Sequence, residues 1–518
     1  MPIHPRCSSH TFSKMASPAA PVRPMPKTQF MAVRADYVIP MSETPEHTRD
    51  TRLEDGYVLI EGAVIREVGQ YTHEIGQRIL RECGHSLTIV GGTYSADLSD
   101  LPKIRGCVLP GFVKAHGHDH EATIIGLCKD VPLTQWLDGV INVFTGFLNE
   151  KREELTRKFR KSPNLVAYRK ARLDDIYYGI TTSLVHHCNF NKYHVPEIVE
   201  ANVSAGTKMI IAVGSQDRNY DPRILDIPAQ TAVDRLDDYY RRFNGTPLTW
   251  VIPGPDQVFS NGPELLRAQK QWAREHGTLI HIHSAEERNT THWFREKYGR
   301  TEIEYLKEIG FLDSNTMLAH QVHSTDGDLE LIRATGTNIV HNPLANTILG
   351  SGMPNVIKML QMGIPVAIST DGSGSADNQN ILAAARLAAQ YQKALYCDAS
   401  LLPAHKLLEM ITVVPAKMLR LNCGELTPGK DADLTIIDLT RPNLTPTTRT
   451  NVLENLIWAS DGSEVRWVVA NGVLVKDNYN FTTLDATEVL SEVQELHSLY
   501  QEYAKSARKV IGTGAHQE

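Results

Sequence analysis

The sequence predicts an α/β protein: a (β/α)8 barrel of the TIM type, carrying a small β-sandwich domain assembled from both flanks of the chain. Three observations lead there. Short apolar runs alternate with helix-period segments through eight units in roughly 300 residues, which suits a closed barrel better than an open sheet. A β-rich zone lies on either side of that region, and each is too small to bury a core alone. The polar residues best suited to chemistry stand at the carboxyl ends of the predicted strands, where the loops of a barrel share one mouth.

The elements follow in chain order. Residues 1–29 read as a disordered or leader-like tail: they carry Arg6, Lys14, Arg23 and Lys27 and no acid. An organelle leader has this look, but Pro18, Pro21, Pro24 and Pro26 break an amphipathic helix, and there is no apolar segment for secretion. Residues 57–62 and 63–69 read as a hairpin around a glycine-containing turn. Strands are expected at 108–116, 180–186, 208–213, 248–253, 278–283, 316–320, 338–341 and 365–371, with helical segments such as 262–276 and 380–395 between them. Residues 432–438 and 465–475 return to β structure, the latter turning at Asn471-Gly472. These features divide the chain into a composite sandwich (30–107 and 424–480), a barrel (108–423) and a C-terminal helix (481–518). That helix opens with a capping box at Asp485 and Glu488 and places Val489, Val493, Leu496, Tyr500 and Tyr503 on one face. It is expected to pack over the barrel or to make a subunit contact.

The composition narrows the class. The 518 residues are 42% hydrophobic and 22% charged, as in an ordinary globular protein. The formal net charge of −7 argues against nucleic acid as the main partner, because phosphate binding needs a basic surface. No stretch approaches the ~20 apolar residues of a membrane span. Seven scattered cysteines without a CxxC pair read as reduced thiols of an intracellular, cytoplasmic protein.

Metal-ligand chemistry is concentrated at four strand ends. His116 and His118 are two apart, so on a strand they point the same way and reach one ion. His281 and His283 end the fifth predicted strand, followed by Glu286; His320 ends the sixth and Asp371 the eighth. Three imidazoles and an aspartate suit Zn(II) or Fe(II), with a position left for water.

The motif PGFVKAHGH at 110–118 resembles the first-strand signature of the amidohydrolase superfamily. HSAE at 283–286, AHQVH at 319–323, NPLANTILGSG at 342–352, STDG at 369–372 and GELTPGKDADL at 424–434 follow in that family's order, and the likeness spans about residues 30–480. The set is similar to the subgroup of atrazine and triazine hydrolases and of S-adenosylhomocysteine, guanine and cytosine deaminases. The resemblance implies that His116, His118, His283 and Asp371 bind one divalent metal, zinc ahead of iron(II). His281 could compete, but the His-x-x-Glu spacing favours His283. It also implies that Glu286, His320 and Asp371 are catalytic. Asp371 would take the proton of metal-activated water, Glu286 would carry one to a ring nitrogen, and His320 would bond the attacking oxygen.

The implied reaction is hydrolysis of a C–N bond, foremost deamination of an aminated nitrogen heterocycle. An amide or carbon–halogen bond is the alternative, and a non-catalytic scaffold a remoter one. Residues 249–253 hold no lysine to bridge a second metal. The segment 120–137 resembles the family's first loop and offers Glu121 and Trp136 as substrate contacts, while Lys114 should face away from the barrel interior. Two departures stand out. Residues 253–259 lack the histidine that adenosine-type deaminases carry after the fourth strand. After the second strand, His186-His187-Cys188 stands where relatives often have aspartate. The expected partner is a small-molecule substrate and, by family habit, further copies of the chain in a dimer or tetramer.

Overall fold

Period-two burial builds the flanking sheet. Met31, Val33 and Ala35 share one core with Val58, Ile60, Leu434, Ile436 and Trp467, while the intervening Ala32, Tyr57 and Leu59 pack with Ile79 and Leu80 of the helix His73–Cys83. In this computed structural model, which describes residues 29–43, 49–127, 129–246 and 248–511, both chain flanks join one nine-stranded sheet. Its order is Asn480–Phe481, Val473–Asp477, Val465–Ala470, Leu434–Asp438, Ile104–Pro110, Phe30–Val38, Leu53–Glu61 and Val64–Gln70, with Leu87–Ile89 paired on Phe30–Val38. The sheet bends back on itself: Ala432 N–H donates to Ala63 O, and Ile65 N–H to Lys430 O. The expected sandwich is therefore a single hydrogen-bonded path folded over its own core. The tail expected at 1–29 lies outside the described residues except for Gln29.

The barrel strands are β1 (Phe112–Lys114), β2 (Ile180–His187), β3 (Lys208–Ser215), β4 (Thr249–Pro255), β5 (Ile280–Ser284), β6 (Thr316–His320), β7 (Asn338–His341) and β8 (Val366–Ile368). They form two four-stranded parallel sheets, β1 to β4 and β5 to β8. A Gln257–His283 bridge joins one seam. At the other, the Ser369 hydroxyl donates to His116 O at 2.7 Å and accepts from His116 N–H at 3.1 Å.

Two strand expectations are corrected. The run expected at 108–116 is split: Ile104–Pro110 pairs with Leu434–Asp438 in the flanking sheet, and only Phe112–Lys114 enters the barrel. Gly111 makes the crossing, because a Cβ there would sit 2.2 Å from Thr181 Oγ1. The eighth strand is shorter than 365–371, since Ser369 turns aside to bond His116 and Asp371 adopts φ +69°.

The C-terminal helix runs Ala486–Ile511, with Val489, Val493, Leu496 and Tyr500 buried as its periodicity predicts. Among the described residues no helix is long and apolar enough to cross a membrane. The five described cysteines are free.

Candidate metal centre

The strand ends bring His116, His118, His283, His320, Glu286 and Asp371 to one buried place. Asp371 Oδ1 lies 3.3 Å from His116 Nε2 and 3.5 Å from His118 Nε2. His118 Nε2 and His283 Nε2 face each other at 3.2 Å. Backbone carbonyls fix both rings: His118 Nδ1–H donates to His186 O at 3.0 Å, and His283 Nδ1–H to Asp256 O at 2.6 Å. Two Nε2 lone pairs are thereby aimed at one point, where they repel unless a cation lies between them. Among the described residues neither nitrogen of His116 has a hydrogen-bond partner. Burial holds His116 and His118 well below the usual imidazole range and lowers His283 to about 3, leaving the neutral rings that metal coordination requires. The donor set fits a divalent cation.

The acid–base groups stand on the open side of these donors. His320 Nε2 is 3.7 Å from Asp371 Oδ2 and 3.6 Å from Glu286 Oε2. Its Nδ1–H donates to Asn346 Oδ1 at 2.8 Å, which leaves Nε2 as the free nitrogen on that side. Burial, then the Asp371 charge, hold the Glu286 carboxyl well above the usual range. His320 (φ +75°) and Asp371 (φ +69°) both take left-handed backbone, a cost concentrated where the side chains must turn into the mouth.

Residues 107–475 match the amidohydrolase family. The chain belongs to that family. As an amidohydrolase it is a metal-dependent hydrolase of carbon–nitrogen bonds. A 5-methylthioadenosine/S-adenosylhomocysteine deaminase from Caldanaerobacter subterraneus subsp. tengcongensis is 29% identical over 453 residues, covering 86% of this chain and 94% of its own. A 5'-deoxyadenosine deaminase from Methanococcus maripaludis is 29% identical over 442 residues, covering 85% of this chain and 95% of its own. The zinc complex of atrazine chlorohydrolase from Arthrobacter aurescens superposes with a TM-score of 0.78 at 22% identity, covering 90% of this chain and 100% of that one.

The remaining expected residues of this amidohydrolase divide by position. Trp136, with Leu133, Leu137 and Ile141, forms an apolar wall of the cavity over the donors. Glu121 also borders the cavity, but its Oε2 accepts from Gly374 N–H and Ser375 N–H, both at 3.0 Å, and from the Ser375 hydroxyl. Burial, then Asp371, push its pKa up to about 8. Lys114, expected to face away from the barrel interior, reaches a buried network that includes the helix Pro163–Tyr177: its Nζ donates to Asp175 at 2.8 Å and Gln379 at 3.0 Å, beside an Arg172–Asp119 pair at 2.7 Å. His281 lies to one side of the donors: it stacks on His116 and its Nδ1 is 3.1 Å from His186 Nδ1.

The two departures meet each other. His186 Nε2 stands 3.4 Å from Asp256 Oδ1, so the histidine at the end of β2 faces an aspartate of the histidine-free run that follows β4. Asp256, Tyr220, Asn189 and Gln257 border the cavity and were not singled out from sequence. The run Gly254-Pro255-Asp256 at a strand end was the one available signal.

Proposed function

We propose that this amidohydrolase deaminates an aminated nitrogen heterocycle, using one divalent ion, zinc ahead of iron(II), held by His116, His118, His283 and Asp371. The observation that carries the reading is the division of Asp371. One oxygen faces His116 and His118; the other faces His320 and, beyond it, Glu286.

Held by these four residues, the ion would supply the Lewis acidity that lets a water ionise near neutral pH. Asp371 Oδ2 accepts a proton from the attacking water. Glu286, kept protonated by its buried setting, donates to a ring nitrogen and makes the adjacent carbon electrophilic. His320 Nε2 holds the attacking oxygen, its own Nδ1–H committed to Asn346. Trp136 lines the cavity as an apolar contact for the planar ring, and Glu121, bound to the backbone of Gly374, supports the wall behind Asp371. The relatives named as deaminases of adenosine derivatives support a ring amine as the leaving group.

The test is a panel of amino-, chloro- and amide-bearing heterocycles incubated with metal-loaded protein, followed by ammonia and chloride detection. Ammonia from an aminated ring, abolished by chelation and restored by zinc, is expected. Chloride or carboxylate release without ammonia from any aminated ring would sink the reading.

A further inference from the structure

A second set of donors converges next to the first. His186 at the end of β2, Cys188 two residues on, and Asp256 just after β4 place a ring nitrogen, a sulphur and a carboxylate oxygen within 4.8 Å of one another, all buried. Among the described residues neither Asp256 Oδ2 nor His186 Nε2, which stands 3.4 Å from Asp256 Oδ1, makes a well-aligned hydrogen bond. Leaving such atoms without a satisfied hydrogen bond in a protein interior is costly, and the great majority of buried polar atoms avoid it. His120, with both ring nitrogens unpartnered, borders the same cavity wall as Cys188 and Asp256.

The cluster is braced rather than loose. His186 O accepts from His118 Nδ1, and His186 Nδ1 lies against His281 Nδ1, so the ring presents Nε2 to Asp256. Asp256 O accepts from His283 Nδ1–H, which fixes the aspartate backbone as well. None of the three clustered side chains belongs to the donor set proposed above.

We propose that His186, Cys188 and Asp256 form a second cation site, selective for a thiophilic divalent ion such as Zn(II). Nitrogen, sulphur and oxygen from three residues match the three-ligand pattern that leaves zinc a fourth position, and Cys188 and Asp256 open that position onto the cavity. Binding forms a metal–sulphur bond and breaks the Cys188 S–H bond, with the proton released to solvent. A substrate lone pair can occupy the open position, so the departures at 186 and 256 would set specificity through an ion.

The test loads chelator-stripped protein with cobalt(II) and separately with zinc, counting metal per chain and recording the near-ultraviolet thiolate-to-cobalt charge-transfer band. Wild type should take two equivalents and show the band. Cys188→Ser and Asp256→Asn should each take one, with the band lost from Cys188→Ser. His116→Asn should lose the other equivalent and keep the band, which separates failure of this site from failure of the first. One equivalent in wild type, no band in wild type, or a band that survives Cys188→Ser overturns the proposal.

Discussion

Glu286 and Asn346 carry distinct burdens, and the difference is measurable. Glu286 stands beside His320, its Oε2 3.6 Å from the imidazole Nε2, and is not one of the proposed ligands. Glu286→Gln keeps the shape and removes the transferable proton, so kcat should fall by roughly 10²–10⁴-fold while bound metal stays constant. Equal loss of metal and rate would place Glu286 in the coordination shell instead. Asn346 acts through His320. Asn346→Ala frees the imidazole to take the other tautomer, and kcat should fall by about 10–100-fold with KM little changed. An unchanged kcat would mean that the His320 tautomer is irrelevant. The proposed ligands are legible in the sequence because strand period and His-x-x-Glu spacing are local. The backbone carbonyls of His186 and Asp256 that lock His118 and His283 are not, since they lie 68 and 27 residues from the rings they hold.

The first loop and the C-terminal helix work as one element. Tyr500 packs edge-on against Phe144 with ring centres 5.0 Å apart, and Tyr503 lies 5.1 Å from Phe147. The Tyr500 hydroxyl donates to Val140 O at 3.2 Å, and His497 Nδ1–H to Thr123 O at 2.7 Å. These contacts hold the segment whose Leu133, Trp136, Leu137 and Ile141 roof the cavity. Tyr500→Ala should cost on the order of 3–5 kcal/mol by chemical denaturation. KM should rise severalfold, because the apolar wall loses its backing. A loss of stability with KM unmoved would reduce the helix to a staple. The apolar face of this helix could be read from its 3.6-residue period, but its partner could not, as Tyr500 and Val140 are 360 residues apart. The same limit explains the first strand: 108–116 is one apolar run in sequence, and its pairing with two distant partners, on either side of Gly111, shows that it serves two sheets.

At the scale of the molecule, buried lysines tie the flanking sheet to the barrel. Lys208 on β3 pairs with Asp433 at 2.7 Å, both inaccessible, and Lys208→Met should destabilise by about 3–5 kcal/mol because it strands a buried carboxylate. Lys476 is different, since no carboxylate among the described residues pairs with it. Its Nζ donates to Val465 O at 2.7 Å and to Tyr177 O, at the end of the barrel helix Pro163–Tyr177, at 3.0 Å, with the rings of Tyr177, Tyr479 and Phe481 around it. Burial lowers its pKa to about 7 from 10.5. Below about pH 7 both folded and unfolded chains carry the proton, and the fold bears the full cost of a buried charge. Between about 7 and 10.5 only the unfolded chain holds it, so this lysine's contribution to stability rises with pH across that window. Other groups move the opposite way: Glu302, raised by burial to about 7, favours the fold less as pH climbs from the carboxylate range to neutrality. The comparison of Lys476→Met with wild type cancels them. The variant forfeits two hydrogen bonds at every pH but never pays for a buried charge. Its stability relative to wild type should therefore be most favourable near pH 6 and decline steadily toward pH 10, read from denaturant midpoints. A difference that stays flat from pH 6 to 10 would show that the Lys476 ammonium is as well solvated in the fold as outside it.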